Sequence, residues 1–329
     1  MDKNRIFSAV QKCVENVPVM LIGTGATIPL GVPGMPELAD HLVSRLCDKY
    51  EDDSTWLKIV EKLKSNIDLE SALIDVVLDE SLVNDIVAET WEFLTVADFC
   101  VFANKRADTH FLSLAALISK FYQVHPKWVN IITTNYDRVI EYACDQIRVP
   151  VDTKYHGNYI RYFSNTSLRK KETVNLLKVH GSLDLFKDKN GLVCSIPLQA
   201  TVPRGFVPEI ITPGSSKYEA VLTGAFRGVL HEADSLINEA KGFLCIGYGF
   251  NDAQIQAQVI EGINAGKPIV VLTKRFSSQA AALIIQNSTN HVIIEEHSGK
   301  TNSTRFTING KCHYLDETYW TIEGLLKMI

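Results

Sequence analysis

Val17-Pro18-Val19-Met20-Leu21-Ile22-Gly23-Thr24-Gly25-Ala26-Thr27 is the stretch on which the fold turns. Its first half is apolar without alternation, the pattern of a central parallel strand buried on both faces. It then breaks into closely spaced glycines, and Gly31-Val32-Pro33 follows shortly after. A buried strand that ends this way makes a loop whose backbone can approach a phosphate. No Cβ stands in the way, and free backbone N–H groups can hold the anion.

Working outward, similar short runs recur at Val129–Thr134, Asn175–Val179, Phe243–Gly247, Pro268–Thr273 and His291–Glu295. Amphipathic helices are expected between them. His110 to Tyr122 puts Phe111, Leu114, Ala115, Ile118 and Tyr122 on one stripe, and Tyr218 to Ala240 does so with Val221, Leu222, Ala225, Val229, Ala233, Leu236 and Ile237. Strands alternating with helices predict an α/β, Rossmann-like, doubly wound and mostly parallel sheet. One helix suffices for a crossover, yet Pro36–Leu46, Thr55–Leu63, Leu69–Leu78 and Leu82–Leu94 all read as helices. Residues 36–107 are therefore expected to form a helical subdomain inserted in a single domain spanning 1–329. A second insertion, 151–174, is rich in Tyr, Asn and basic residues and is expected to be an exposed loop or lid. Residues 305–329 read as a hairpin and a short helix without an assigned role.

Composition narrows the classes. The net charge of −5 gives no electrostatic reason to expect nucleic-acid binding. Seven scattered cysteines form no C-x-x-C, so neither a zinc ribbon nor a disulfide framework is expected, and no metal. The polar start and the lack of a long apolar run predict a cytoplasmic protein with no membrane contact. Ser298-Gly299-Lys300-Thr301 resembles the end of a phosphate-binding P-loop, but Ile294 stands where its first glycine belongs.

Three strand ends hold groups suited to chemistry. Thr133-Thr134-Asn135-Tyr136-Asp137 leads into a helix expected from Tyr136 to Ile147. Asn135 can grip a ribose hydroxyl or orient a water, and Asp137 can accept from a ribose hydroxyl, but both are also good helix caps. His180-Gly181 ends another strand; His180 is suited to general base work near neutral pH, or it is a hydrogen-bonded structural histidine. Gly247-Tyr248-Gly249-Phe250-Asn251-Asp252 is either a second glycine turn under the adenosine half of a dinucleotide or a plain strand-to-helix turn capped by Asp252.

In this order the segments Gly23-Thr24-Gly25-Ala26 with Gly31-Val32-Pro33, Thr134-Asn135-Tyr136-Asp137, His180-Gly181, and Gly247-Tyr248-Gly249 with Asp252 resemble the sirtuin superfamily, over about residues 17 to 275. Gly31-Val32-Pro33-Gly34-Met35-Pro36-Glu37-Leu38 and Gly247–Asp252 look closer to the sirtuin-like domains of bacterial anti-phage defence than to protein deacylases. The four-cysteine zinc ribbon of the deacylases is missing. The resemblance implies an NAD+ hydrolase, an NADase that cleaves the nicotinamide–ribose bond to nicotinamide and ADP-ribose and depletes NAD in antiviral defence. Asn135, His180 and Asp137 would be catalytic. Gly23, Thr24, Gly25, Ala26, Thr27, Pro33, Thr134, Gly247, Tyr248, Gly249 and Asp252 would bind the dinucleotide. A homo-oligomer is expected, with or without a separate regulatory partner such as a HerA-type ATPase. A protein deacylase or ADP-ribosyltransferase, and a non-catalytic NAD- or ADP-ribose-binding module, stay open as alternatives.

Overall fold

The computed structural model describes residues 1–73, 76–105, 107–212 and 224–329. Its centre is a nine-stranded sheet made of β1 (Val19–Ile22), β2 (Trp128–Thr133), β3 (Val151–Asp152), β6 (Thr173–Lys178), β10 (Phe243–Ile246), β11 (Ile269–Leu272), β12 (His291–Glu296), β13 (Thr304–Ile308) and β14 (Lys311–Leu315). The spatial order is β14-β13-β12-β11-β10-β1-β2-β6-β3. All pairings from β12 to β3 are parallel, and the β13–β14 hairpin joins β12 antiparallel. The doubly wound expectation therefore holds.

Alternation along each strand supplies two cores. Met20 and Ile22 of β1 and Leu244 and Ile246 of β10 point to one face, covered by α1 (Lys3–Val14), α5 (Glu80–Asn104), α6 (Thr109–Tyr122) and α7 (Val139–Gln146). Val19 and Leu21 of β1 and Phe243 and Cys245 of β10 point to the other, covered by α8 (Gly224–Glu239), α9 (Ala253–Asn264) and α10 (Ser278–Asn287). The stripe expected over Tyr218–Ala240 lies outside the described residues from Tyr218 to Thr223. From Ala225 onward it falls in α8.

Between β1 and β2, α2 (Met35–Leu46), α3 (Ser54–Lys64), α4 (Leu69–Leu73) and the N-terminal half of α5 gather around Leu42, Trp56, Ile59, Ala72 and Ile86, a cluster separate from the two sheet cores. Asp residues cap three of the chain's helices here: Asp53 accepts from the N–H groups of Thr55 and Trp56, Asp79 from Leu82 and Asp108 from Phe111. Helix is not continued to Leu78, because Val76–Asp79 is non-helical ahead of the Asp79 cap.

The segment read as a loop or lid differs from expectation. β3 joins the main sheet beside β6, while β4 (Tyr155–Gly157) and β5 (Arg161–Phe163) belong to a second, antiparallel sheet with order β4-β5-β8-β7-β9. The other strands are β7 (Gly181–Asp188), β8 (Val193–Ser195) and β9 (Phe206–Ile210). Lys154 ties this layer down: its buried ammonium donates to the carbonyl of Thr166 and pairs with Glu232 of α8 at 2.8 Å. α11 (Ile322–Leu326) closes the chain. Among the described residues no helix is long and apolar enough to cross a membrane.

Candidate active site

Register aligns the strand ends. Ile22 lies beside Thr133 and Ile246, Thr133 beside Lys178, and Ile246 beside Leu272. The residues just beyond them (Gly23, Thr134, Val179, Gly247 and Thr273) therefore form one row along the carboxyl edge of the sheet. From β1 the chain passes to one side through β2 and β6, and to the other through β10 and β11. This is the topological switch point, where doubly wound sheets bind ligands. A cleft of about 480 Å³ opens over it.

Three glycines make the floor. Gly25 donates its N–H to the carbonyl of Gly247 at 3.0 Å, and Gly23 to that of Ile246 at 3.0 Å. A Cβ on Gly23 would stand 2.5 Å from the Gly247 carbonyl oxygen, and one on Gly25 2.7 Å from the Gly247 Cα. One on Gly247 would stand 2.3 Å from the Ala26 nitrogen, at a φ of +57°. The β1 and β10 turns pack backbone against backbone, which requires these glycines before any ligand does. The β10 turn is held open by Phe250, which adopts φ +60° while buried against Tyr248 and Phe276. A bulky residue in this region is strained and persists only where packing imposes it.

Asn135, two residues past β2, is 2% exposed. Its orientation follows from its neighbours. The Thr27 hydroxyl has one proton and faces two acceptors, the Thr24 carbonyl at 3.3 Å and the Asp137 carboxylate at 3.1 Å. The third neighbour must therefore arrive as a donor, and it is Asn135 Nδ2, at 3.3 Å. That leaves Asn135 Oδ1 buried with no partner among the described residues. Asp137 also accepts from the Val139 N–H at 3.2 Å, and burial pushes its carboxyl above the usual range against the pull of Lys178.

The turn that carries Asn135 is fixed from both sides. Arg138 sets its guanidinium on Asp98 of α5, with Nε at 2.9 Å and Nη2 at 2.6 Å, and Asp98 also accepts the Arg138 N–H. Lys178, at the end of β6, donates to the carbonyls of Tyr136 and Asp137 and to Glu141 at 3.1 Å. Burial pushes the Glu141 carboxyl up to about 7, although Lys178 pulls the other way. Burial also opposes ionisation of Asp184, but Lys178 and the Ser182 and Ser195 hydroxyls outweigh it, and that carboxyl lies below the usual range.

His180 follows β6 as Asn135 follows β2, so the two stand at the same level on neighbouring strands. His180 Nε2 lies 2.7 Å from Asp252 Oδ2, while Asp252 Oδ1 accepts the Ile255 N–H and caps α9. One carboxylate thus serves as cap and as the partner that orients the imidazole.

A family model described as the SIR2-like domain matches residues 129–294, half of the chain. This chain belongs to the SIR2-like family. A comparison with curated proteins finds no match. Among solved structures, the SIR2-like chain is similar to a Sir2 enzyme from a study of the mechanism and regulation of these enzymes, at 14% identity and TM-score 0.48 over 85% of this chain and 90% of that one. It is also similar to a Sir2 homologue in complex with NAD, at 12% identity and TM-score 0.47 over 89% and 88%.

Of the residues singled out from the sequence, Gly23, Thr24, Gly25, Thr134, His180, Gly247, Tyr248, Gly249 and Asp252 line the SIR2-like cleft. Pro33, Asn135 and Asp137 line a small adjoining pocket that shares Thr24, Met35, Thr134 and Tyr136 with it. Ala26 and Thr27 are buried beneath and line neither. Sequence reasoning missed Glu70 of α4 and the β11–α10 turn with Lys274 and Arg275, all of which line the cleft. Glu70 lies far from any motif and gave no signal. The two cations follow an expected strand end, a signal that was there to be read.

Proposed function

We propose that this SIR2-like protein is an NAD+ glycohydrolase that breaks the bond between nicotinamide and ribose, giving nicotinamide and ADP-ribose. The observation that carries this reading is the Asn135 carbonyl: buried, without a partner among the described residues, its amide oriented by Thr27, one strand from the His180–Asp252 pair. A buried acceptor left without a partner costs about 1–3 kcal/mol. That cost is met if the site is built to bind a ribose hydroxyl or the attacking water there.

Nicotinamide in NAD is a pyridinium, so it leaves as a neutral base and needs no strong general acid. The C1′–N bond breaks, its electron pair returns to the ring nitrogen, and positive charge develops on the ribose as in glycoside hydrolysis. Water then forms the new C1′–O bond and gives up a proton. In this reading Asn135 holds the ribose and the water, and His180, oriented by Asp252, takes the proton. Asp137 acts through Thr27, fixing the Asn135 amide. The Gly23 and Gly25 N–H groups already donate to the Ile246 and Gly247 carbonyls, so in this reading the glycines let the pyrophosphate approach the turn closely enough to meet the Thr24 N–H. Water is the acceptor because the scattered cysteines supply no zinc ribbon with which to build an acyl-peptide groove.

An enzyme of this kind needs restraint in its own cell. The resemblance of Gly31–Leu38 and Gly247–Asp252 to the defence-type loops supports NAD depletion in anti-phage defence, switched on by self-assembly or by a separate partner. The test is release of nicotinamide and ADP-ribose from NAD at several protein concentrations, beside Asn135→Ala and His180→Ala. Cleavage by the wild type, abolished in Asn135→Ala and steeply slowed in His180→Ala with both variants folded, is the expected result. A rate that climbs faster than protein concentration marks activation by assembly. Undiminished cleavage by folded Asn135→Ala would overturn the assignment.

A further inference from the structure

Lys274 and Arg275 lie between the end of β11 and the Ser277 cap of α10. Both are exposed and both line the cleft. Their backbone carbonyls are engaged, by the Glu296 N–H and the Thr273 hydroxyl. Among the described residues neither side chain has an ion pair or a hydrogen bond. The turn itself carries no acid: residues 273–278 read Thr-Lys-Arg-Phe-Ser-Ser, and the first turn of α10 holds no carboxylate, while Glu295 of the adjoining β12 accepts from the Phe276 N–H and pairs with Arg305. The acids that line the cleft come from elsewhere, Asp252 at His180 and Glu70 on α4.

Position gives these cations a meaning. In the proposed reading, on which this inference rests, the pyrophosphate sits at the β1 turn and the nicotinamide ribose over β2 and β6. The adenosine ribose then falls on the other side of the switch, over β10 and β11. β11 is two strands from β1, about 10 Å at the usual strand spacing. The adenosine ribose is bonded directly to the pyrophosphate, and a lysine or arginine stem spans the remaining distance. In dinucleotide sites an acid beside the adenosine ribose accepts from its 2′-hydroxyl and repels a phosphate there, whereas an arginine there accommodates the 2′-phosphate. The guanidinium fork of Arg275 matches a phosphate, and Lys274 adds a second charge.

We infer that the β11–α10 turn reads the 2′-position of the adenosine ribose, and that the site binds a 2′-phosphorylated dinucleotide, NADP, more tightly than NAD. The test uses the cleavage products, so that turnover does not interfere. ADP-ribose and 2′-phospho-ADP-ribose are titrated calorimetrically into the wild type and into the double variant Lys274→Ala, Arg275→Ala, both at low ionic strength. The phosphorylated ligand is expected to bind about tenfold more tightly to the wild type, the worth of one charge-assisted pair. That advantage should vanish in the double variant, whatever the factor by which its affinity for ADP-ribose itself falls, and should shrink as salt is added. Both side chains are exposed, so an unchanged melting temperature checks that the variant folds. Equal affinities in the wild type, or a preference that survives in the double variant, would overturn the inference and leave the hydrolase reading standing. Failure of both ligands to bind would remove the dinucleotide reading and this inference with it.

Discussion

Thr27 shows how much a single hydroxyl decides. The sequence presents it as the last residue of a phosphate loop, yet it is wholly buried and touches Thr24, Asp137 and Asn135. Its one proton and its lone pairs set which end of the Asn135 amide faces Thr27 and which is left without a partner among the described residues. Thr27→Val keeps the volume and removes both hydrogen-bonding roles. The variant is expected to be less stable by about 1–3 kcal/mol, since two buried polar groups lose a partner. Turnover of NAD is expected to fall at least about tenfold, because the Asn135 amide is free to rotate away from the productive geometry. Thr27→Ser should restore both. Chemical denaturation and nicotinamide release measure the two effects separately, and a folded Thr27→Val protein with normal turnover would show that Asn135 needs no such anchor. The strand-end placement of Asn135 and His180 was legible because a strand end is a short, local pattern. The burial of Thr27 was not, because its partner Asp137 is 110 residues away.

At the scale of elements, the two glycine turns act as one unit. Gly25 and Gly31 separate the two reasons a chain uses glycine. A Cβ on Gly25 would press on the backbone of Gly247, whereas Gly31 has open space around it and only its φ of +89° resists a side chain. Gly31→Ala should therefore cost about 1–2 kcal/mol, the strain of a left-handed residue. Gly25→Ala forces two strand ends apart and should cost more, at or beyond the upper end of the roughly 1–3 kcal/mol seen for overpacking. It should also weaken ADP-ribose binding, which Gly31→Ala leaves nearer to normal. Denaturation midpoints for the pair check the order, and a Gly31→Ala protein less stable than Gly25→Ala would mean that the turns do not interlock as described. The long apolar strands around these turns stood out in the sequence because each is buried on both faces. The second sheet did not. β4, β5 and β8 have three residues each, β7 opens on Gly181, and β9 carries Pro208, so neither length nor periodicity announced them. What joins them is tertiary: β4–β5 and β7–β8 are local hairpins, but β5 pairs with β8 across the intervening β6 and β7, and β9 passes β8 to pair with β7.

For the molecule as a whole, the winding of strands and helices was readable because periodicity repeats along the chain. The charge network behind the site was not, since it assembles Asp98, Asp137, Arg138, Glu141, Lys178 and Asp184 from four separate elements and the turn before α7. Glu141 gives this network a signature in global stability. Its carboxyl has an ordinary pKa of 4.5 and is pushed up to about 7 in the folded protein, chiefly by burial. Between these values the folded state holds a proton that the unfolded state has released. Stability from this group is therefore full below about pH 4.5, declines as pH rises toward 7, and is constant above that. A shift of this size corresponds to at most about 3 kcal/mol across the window. Glu141→Gln has no proton to lose there, keeps an oxygen that can accept from Lys178, and should lack this component of the slope. The measurement is the free energy of unfolding of both proteins by denaturant at intervals from pH 5 to pH 8. The difference between them should move in favour of Glu141→Gln as pH rises and then level off near neutrality. Parallel curves would mean that Glu141 ionises as readily in the folded chain as in water, and that Lys178 has overcome the burial that surrounds it.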